Sequence, residues 1–202
     1  MRGEEVLSLF KEKGALLKGH FELSSRFHTS TYFQSALVLQ YPSLAARLGK
    51  SLAEFFQDSS AQIIISPAIG GIIIGQEVAK ALGARSIFAE KEKGNLVLRR
   101  GFKINPEERV LVIEDVITTG NSVRKLIGII EESEAKLIGV GCLVDRSAGK
   151  VNFVWNPGKS LLSKKVELQS LVCLNVEIYP PEECPLCQEK IPLIKPGSRE
   201  IK

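Results

Sequence analysis

The feature that most restricts this chain is the run Val110-Leu111-Val112-Ile113-Glu114-Asp115-Val116-Ile117-Thr118-Thr119-Gly120-Asn121-Ser122. Four consecutive apolar residues with no polar alternation predict a strand covered on both faces, the condition of a parallel sheet. Two acids close that strand. A short stretch of hydroxyl residues and one glycine then leads to Val123, Leu126, Ile127 and Ile130, which recur with helical period. Strand, polar turn and amphipathic helix make one crossover unit, so an α/β fold is expected.

The same grammar recurs. Ile63-Ile64-Ile65 is a second buried strand, followed by the turn Ser66-Pro67-Ala68-Ile69-Gly70-Gly71 and a helix to about Leu82, closed by Gly83. Ser86 to Phe88 and Leu137 to Val144 read as further strands, and the polar stretch from Glu90 to Gly101 as a loop or exposed hairpin. Before the sheet, residues 4–13 have a helical apolar face. Phe21 to Leu39 reads as extended pieces, and Pro42-Ser43 as a helix start with Ser43 as N-cap. Beyond Tyr179, five prolines (180, 181, 185, 192 and 196) predict an irregular tail.

At 202 residues, 44% of them hydrophobic, the chain is expected to form one domain with no need of disulfides. No apolar run approaches the ~18 residues of a membrane span. Charges at 4, 5, 11, 12 and 13 leave no signal-peptide pattern, so a cytoplasmic protein is expected. A net charge of +4 is too mild to imply nucleic acid and suits an anionic small substrate. Cys142 and Cys173 read as buried thiols. Cys184-Pro185-Leu186-Cys187 has the spacing of half a zinc site, but the other candidate ligands, Cys142, Cys173, His20 and His28, are far away in sequence. The pair therefore reads as two unliganded thiols of the tail, with zinc or redox use as the alternatives.

Ligands of an open parallel sheet bind beyond the carboxyl ends of its strands. There, the backbone amides of Thr118 to Ser122 and a helix N-terminus make an anion cradle, to which the hydroxyls add donors. Gly120 permits close backbone approach. Glu114 and Asp115, beside that cradle, need hydroxyls or a cation to face, which a sugar diol or a magnesium ion supplies. A ribose phosphate meets both requirements.

This segment resembles the phosphoribosyl-diphosphate motif of type I phosphoribosyltransferases, which transfer ribose 5-phosphate to a nucleobase nitrogen. The resemblance implies that Glu114 and Asp115 contact the ribose and that Thr118, Thr119, Gly120, Asn121 and Ser122 hold its 5-phosphate. Mg2+ on the diphosphate would be the cofactor, with Asp115 as a further ligand and proton acceptor. Ser66 to Gly71 is similar to the family's diphosphate loop, with Ala68, Gly70 and Gly71 facing substrate, although orotate-type members carry a lysine where this chain has Gly70. Asp145-Arg146 resembles that branch's Asp-Arg, implying that Arg146 binds the orotate carboxylate. Phe21-Glu22-Leu23-Ser24-Ser25-Arg26-Phe27-His28-Thr29-Ser30-Thr31-Tyr32-Phe33 is similar to its N-terminal hood, with Tyr32 or Phe33 against the base and His28 a solvated polar residue.

The main departure is the family's mobile catalytic loop, which here is the shorter Glu90-Lys91-Glu92-Lys93-Gly94 with no histidine. Lys91 matches that loop's first, catalytic lysine. Lys93, Arg99 and Arg100 are candidates for the remaining positive charge. The expectation is thus a type I phosphoribosyltransferase fold over residues 1–178, with a hood over 1–40, a core over 41–178 and a tail over 179–202. Its substrates would be phosphoribosyl diphosphate and orotate, and it would be a homodimer without nucleic-acid or membrane partners. The alternatives are a purine or salvage transferase, or a regulatory module that binds phosphoribosyl diphosphate without catalysis.

Overall fold

The structure, a computed structural model, describes residues 1–23, 25–157 and 163–196; Ser24 of the hood segment and the last six residues of the tail lie outside them. Helix α1 (Glu4–Glu12) buries Val6, Leu9 and Phe10 on one face. Strands β1 (Leu16–Glu22) and β2 (His28–Phe33) pair antiparallel and form the hood. Helices α2 (Ala36–Leu39) and α3 (Pro42–Ala53) follow. The start of α3 differs from expectation: Pro42 occupies the first turn, Tyr41 is the N-cap, and no side chain caps the helix. Proline at N1 has the helical φ already set and lacks the N–H that a cap would satisfy.

The core then alternates: β3 (Ile63–Pro67), α4 (Gly70–Leu82), β4 (Arg85–Glu92), β5 (Asn95–Leu98), β6 (Arg109–Ile117), α5 (Asn121–Glu132) and β7 (Lys136–Asp145). Short strands β8 (Phe153–Trp155) and β9 (Lys164–Val166) pair with each other, and β10 (Leu168–Cys173) returns to the main sheet. That six-stranded sheet has the order β10-β7-β6-β3-β4-β5 and is parallel except for β5, which forms a hairpin with β4. The expected exposed hairpin is therefore present, with Lys93 and Gly94 at its tip.

Both faces of the sheet are buried, which explains the unalternating strands. Ile64, Leu111 and Ile113 pack with α3 and α4 through Leu48, Leu52 and Ile74. Ile63, Ile65, Val110 and Val112 pack on the opposite side with Leu126 and Ile130 of α5. Parallel pairing brings β3, β6 and β7 together so that their carboxyl ends lie side by side.

The tail is more ordered than its prolines suggest. A 3₁₀ turn (Pro181–Glu183), helix α6 (Pro185–Gln188) and strand β11 (Leu193–Ile194) run along the hood, and β11 pairs parallel with β1. Proline stands at the first turn of α6, which tolerates it. Cys142 is buried as expected, whereas Cys173 is exposed at the end of the edge strand β10. Among the described residues, no helix is long and apolar enough to cross a membrane.

Candidate active site

The site is built where β3, β6 and β7 end. β6 delivers Glu114 and Asp115, and the turn Thr118-Thr119-Gly120 opens α5. Gly120 is the N-cap with φ +75°, and a Cβ there would lie 2.7 Å from Val151 Cγ1 and 2.9 Å from Phe153 Cε1. Only glycine suits that position. No side chain caps α5, so its first amides and its positive dipole end remain available to an anion. The turn lines a cavity of about 560 Å³ together with Glu114, Asn121, Ser122 and Lys91.

Glu114 is 7% exposed. Burial, and next the charge of Asp115, push its carboxyl well above the usual carboxylate range, while Lys91 pulls the other way. The Asp115 amide donates to Glu114 Oε1 at 3.1 Å, which turns that side chain back along the strand. The Asp115 carboxylate has no ion-pair partner among the described residues. An acid pair with one member buried and the other half-buried, neither in an ion pair among the described residues, suits hydroxyls or a metal ion.

The loop after β3 meets this pair directly. A Cβ on Gly70 would stand 2.8 Å from both Asp115 carboxylate oxygens, and one on Gly71 3.3 Å from Glu114 Oε1. The missing side chains thus bring the start of α4 against the acids. Ala68 precedes them in the turn, followed by Ile69, 85% exposed.

Beyond β7, Arg146 is buried against the hood. Its Nη2 donates to Thr29 Oγ1 at 2.9 Å, its guanidinium lies 5.9 Å from the Phe33 ring centre, and Nε is buried without a partner. Burial lowers its pKa to about 10, so it remains a cation at neutral pH. Its neighbour Asp145 accepts from the amides of Ser147 and Gly149 at 2.8 and 3.2 Å, fixing the turn after β7. Tyr32 feels the charges of both Asp115 and Arg146, although burial is the main cause that raises its phenol.

Several expected roles change. Phe33 is 4% exposed and packs edge-on against Phe10 at 5.8 Å, so it supports Arg146 from the core and offers no face to a base. Tyr32 lies half-buried on the alternate face of β2. Lys91 lines the cavity, but Arg100 is turned to Glu90 at 2.8 Å, and neither Arg99 nor Lys93 lines it. His28 is buried, against its reading as solvated.

Two cations went unforeseen. Arg124 lines the cavity and donates to Thr119 O at 2.6 Å, and Lys125 bonds Gly94 O, tying α5 to the hairpin tip. Their signal was their place near the start of α5, as its fourth and fifth residues.

A mostly parallel sheet carries an acid pair and a glycine-capped helix start at its carboxyl edge, and residues 37–154 match the model of the phosphoribosyl transferase domain. The chain belongs to the phosphoribosyltransferase family. Two of its relatives carry a more particular name, orotate phosphoribosyltransferase. That of Caldicellulosiruptor saccharolyticus is 48% identical over 202 residues, all of both chains. That of Chlorobium phaeobacteroides is 46% identical over 97% of this chain and 96% of its own. Among solved structures, orotate phosphoribosyltransferase from Aeropyrum pernix superposes with a TM-score of 0.62 at 26% identity, covering 83% of this chain and 93% of that one. Adenine phosphoribosyltransferase from Thermoanaerobacter pseudethanolicus gives the same TM-score at 14% identity, covering 82% and 99%. Backbone likeness therefore does not choose the base; the sequence relatives and Arg146 bear on that choice.

Proposed function

We propose that this chain transfers the ribose 5-phosphate unit of phosphoribosyl diphosphate to orotate, giving orotidine 5′-phosphate and diphosphate. The observation that carries the choice of base is Arg146: a buried guanidinium at the carboxyl edge, half satisfied by Thr29 and with Nε unpartnered. Such a fork matches a planar carboxylate, which orotate has and purines lack.

The geometry supports the remaining roles. Glu114 and Asp115 accept hydrogen bonds from the ribose diol. The amides at the start of α5, with Thr118, Thr119 and Ser122, take the 5-phosphate, while Arg124 neutralises its charge from the same turn. Ala68, Gly70 and Gly71 let diphosphate approach the backbone, and Lys91 balances the leaving group. Tyr32 closes over the base. Positive charge develops on the ribose as diphosphate departs, beside Asp115, which is also the group to accept a proton from the incoming base.

Magnesium fits this donor set, because Asp115 offers a hard oxygen ligand with no competing ion pair among the described residues, and magnesium favours a few carboxylates plus phosphate oxygens. When bound it would supply charge neutralisation to the diphosphate. Action as a homodimer belongs to the same reading: Ile69 and Ile73, exposed at the start of α4 beside the site, gain cover from a second copy.

The test is loss of orotate absorbance in the presence of phosphoribosyl diphosphate and magnesium, with adenine, hypoxanthine and uracil run alongside. Turnover of orotate alone is expected. Turnover of a purine without orotate, or binding of phosphoribosyl diphosphate with no turnover of any base, would overturn the proposal.

A further inference from the structure

Four metal-ligating side chains converge between hood and tail: His20 of β1, His28 of β2, Cys184 and Cys187. Their ligand atoms all lie within 4.8 Å of one another. His20 Nε2 is 2.9 Å from His28 Nδ1, 3.6 Å from Cys184 Sγ and 3.7 Å from Cys187 Sγ, and Cys187 Sγ is 3.3 Å from His28 Nδ1. In a tetrahedral centre with ordinary zinc–nitrogen and zinc–sulfur bonds, the edges are about 3.3 Å (N···N), 3.6 Å (N···S) and 3.8 Å (S···S). The measured separations approach those edges.

Pairwise hydrogen bonding accounts poorly for this arrangement. His20 Nδ1 faces the carbonyl oxygen of Ile191 at 2.8 Å and must donate to it, so Nε2 carries the lone pair. That lone pair is aimed at one point, on which a second imidazole nitrogen and two sulfurs also converge. A backbone carbonyl that fixes the far nitrogen of a histidine is the usual outer-shell support of a metal ligand. His20 is 2% exposed and Cys184 is fully buried. Two thiolates and a divalent cation sum to zero charge, the state of this set least costly to bury.

The backbone holds the ligands in place independently. His20 pairs with Leu193 across β1 and β11, and His28 exchanges two backbone hydrogen bonds with Tyr179, at 2.8 and 2.9 Å. Cys184 is the N-cap of α6 and Cys187 lies within its single turn, so the C-x-x-C spacing turns both sulfurs to the same side.

We propose that His20 Nε2, His28 Nδ1, Cys184 Sγ and Cys187 Sγ bind one structural zinc ion, which clamps the tail to the hood. Each thiol releases its proton on binding, and with four protein ligands no position is left open for catalysis. The softness of two sulfurs and two imidazoles in a tetrahedron selects zinc over the harder magnesium of the sugar site. This assignment is independent of the reaction proposed above.

The experiment is metal analysis of the full chain, purified without metal-affinity resin and dialysed against metal-free buffer. One zinc per chain is expected, lost in Cys187→Ser and retained in Cys173→Ser. Chelator should expose two further titratable thiols and speed hydrogen exchange in β1, β2 and residues 179–196. Should Cys187→Ser fail to fold, chelated wild-type protein titrated with cobalt(II) decides: one equivalent should give the visible absorption of a tetrahedral cobalt–thiolate site. Substoichiometric metal together with no cobalt spectrum would overturn the assignment, as would a Cys184–Cys187 disulfide in the purified protein.

Discussion

Gly70 stands against Asp115 so closely that a single methyl at position 70 would lie 2.8 Å from both carboxylate oxygens. The absence of a side chain at the start of α4 thus leaves room for the acid of β6 as it stands. Any side chain at position 70 would therefore crowd Asp115. Gly70→Ala is expected to lower kcat/KM for phosphoribosyl diphosphate by about tenfold to a hundredfold, the effect of misplacing a reacting group by an ångström or less. Tm should change little, because the atoms that yield are the end of a side chain. Steady-state kinetics beside a thermal melt check this; unchanged kinetics would separate Gly70 from the acid's placement.

Glu114 sets up a trade between stability and binding. Its carboxyl is raised above the usual range in the folded state by burial and by Asp115. The folded state then holds a proton that the unfolded chain has released, so its destabilising effect grows as pH rises above about 4.3. Glu114→Gln, which cannot ionise, is expected to raise Tm at pH 8 on the order of 2–4 °C per kcal/mol recovered, and to raise it less at pH 5. Affinity for phosphoribosyl diphosphate should fall in the same variant. A lower Tm at pH 8 would contradict the burial argument.

Arg146 is expected to act on one substrate only. Arg146→Lys keeps a cation but loses the fork, and should raise the orotate KM by about 30-fold or more, as loss of one partner of a buried charge pair does. The KM for phosphoribosyl diphosphate should move by less than about threefold. Because burial lowers the guanidinium pKa to about 10, the wild-type orotate KM should be flat from pH 7 to 9 and rise above 10. Equal effects on both substrates would remove Arg146 from carboxylate recognition.

Gly120 tests the cradle's architecture. An alanine there must adopt φ +75° and meet Val151 and Phe153 at under 3.0 Å. Gly120→Ala should therefore cost about 2 kcal/mol or more, a Tm fall of roughly 4–8 °C, along with weakened phosphate binding. Differential scanning calorimetry gives the first and inorganic-phosphate titration the second.

Much of the core was legible because its signals are local. Val110 to Ile113 and Ile63 to Ile65 specify strands by composition alone, and Glu114 to Ser122 specify the turn by the chemistry of adjacent residues. Strands β8 and β10 were not legible: Phe153–Trp155 is too short for a pattern, and Leu168–Cys173 mixes Gln169 and Ser170 into an edge strand. The choice between Tyr32 and Phe33 lay within reach, since two-residue alternation along β2 sends them to opposite faces. The company of Cys184 did not. His20 is 164 residues away, and the pairing of β11 with β1 and the His28–Tyr179 bridge bring them together.

The most direct measurement is a crystal structure with orotidine 5′-phosphate bound. Its phosphate should sit within about 3 Å of the amides of residues 119–122 and its ribose diol on Glu114 and Asp115, with the carboxylate on the Arg146 fork. A product whose phosphate lies away from the start of α5, or whose carboxylate leaves Arg146 uncontacted, would contradict the assignment of the site and its base.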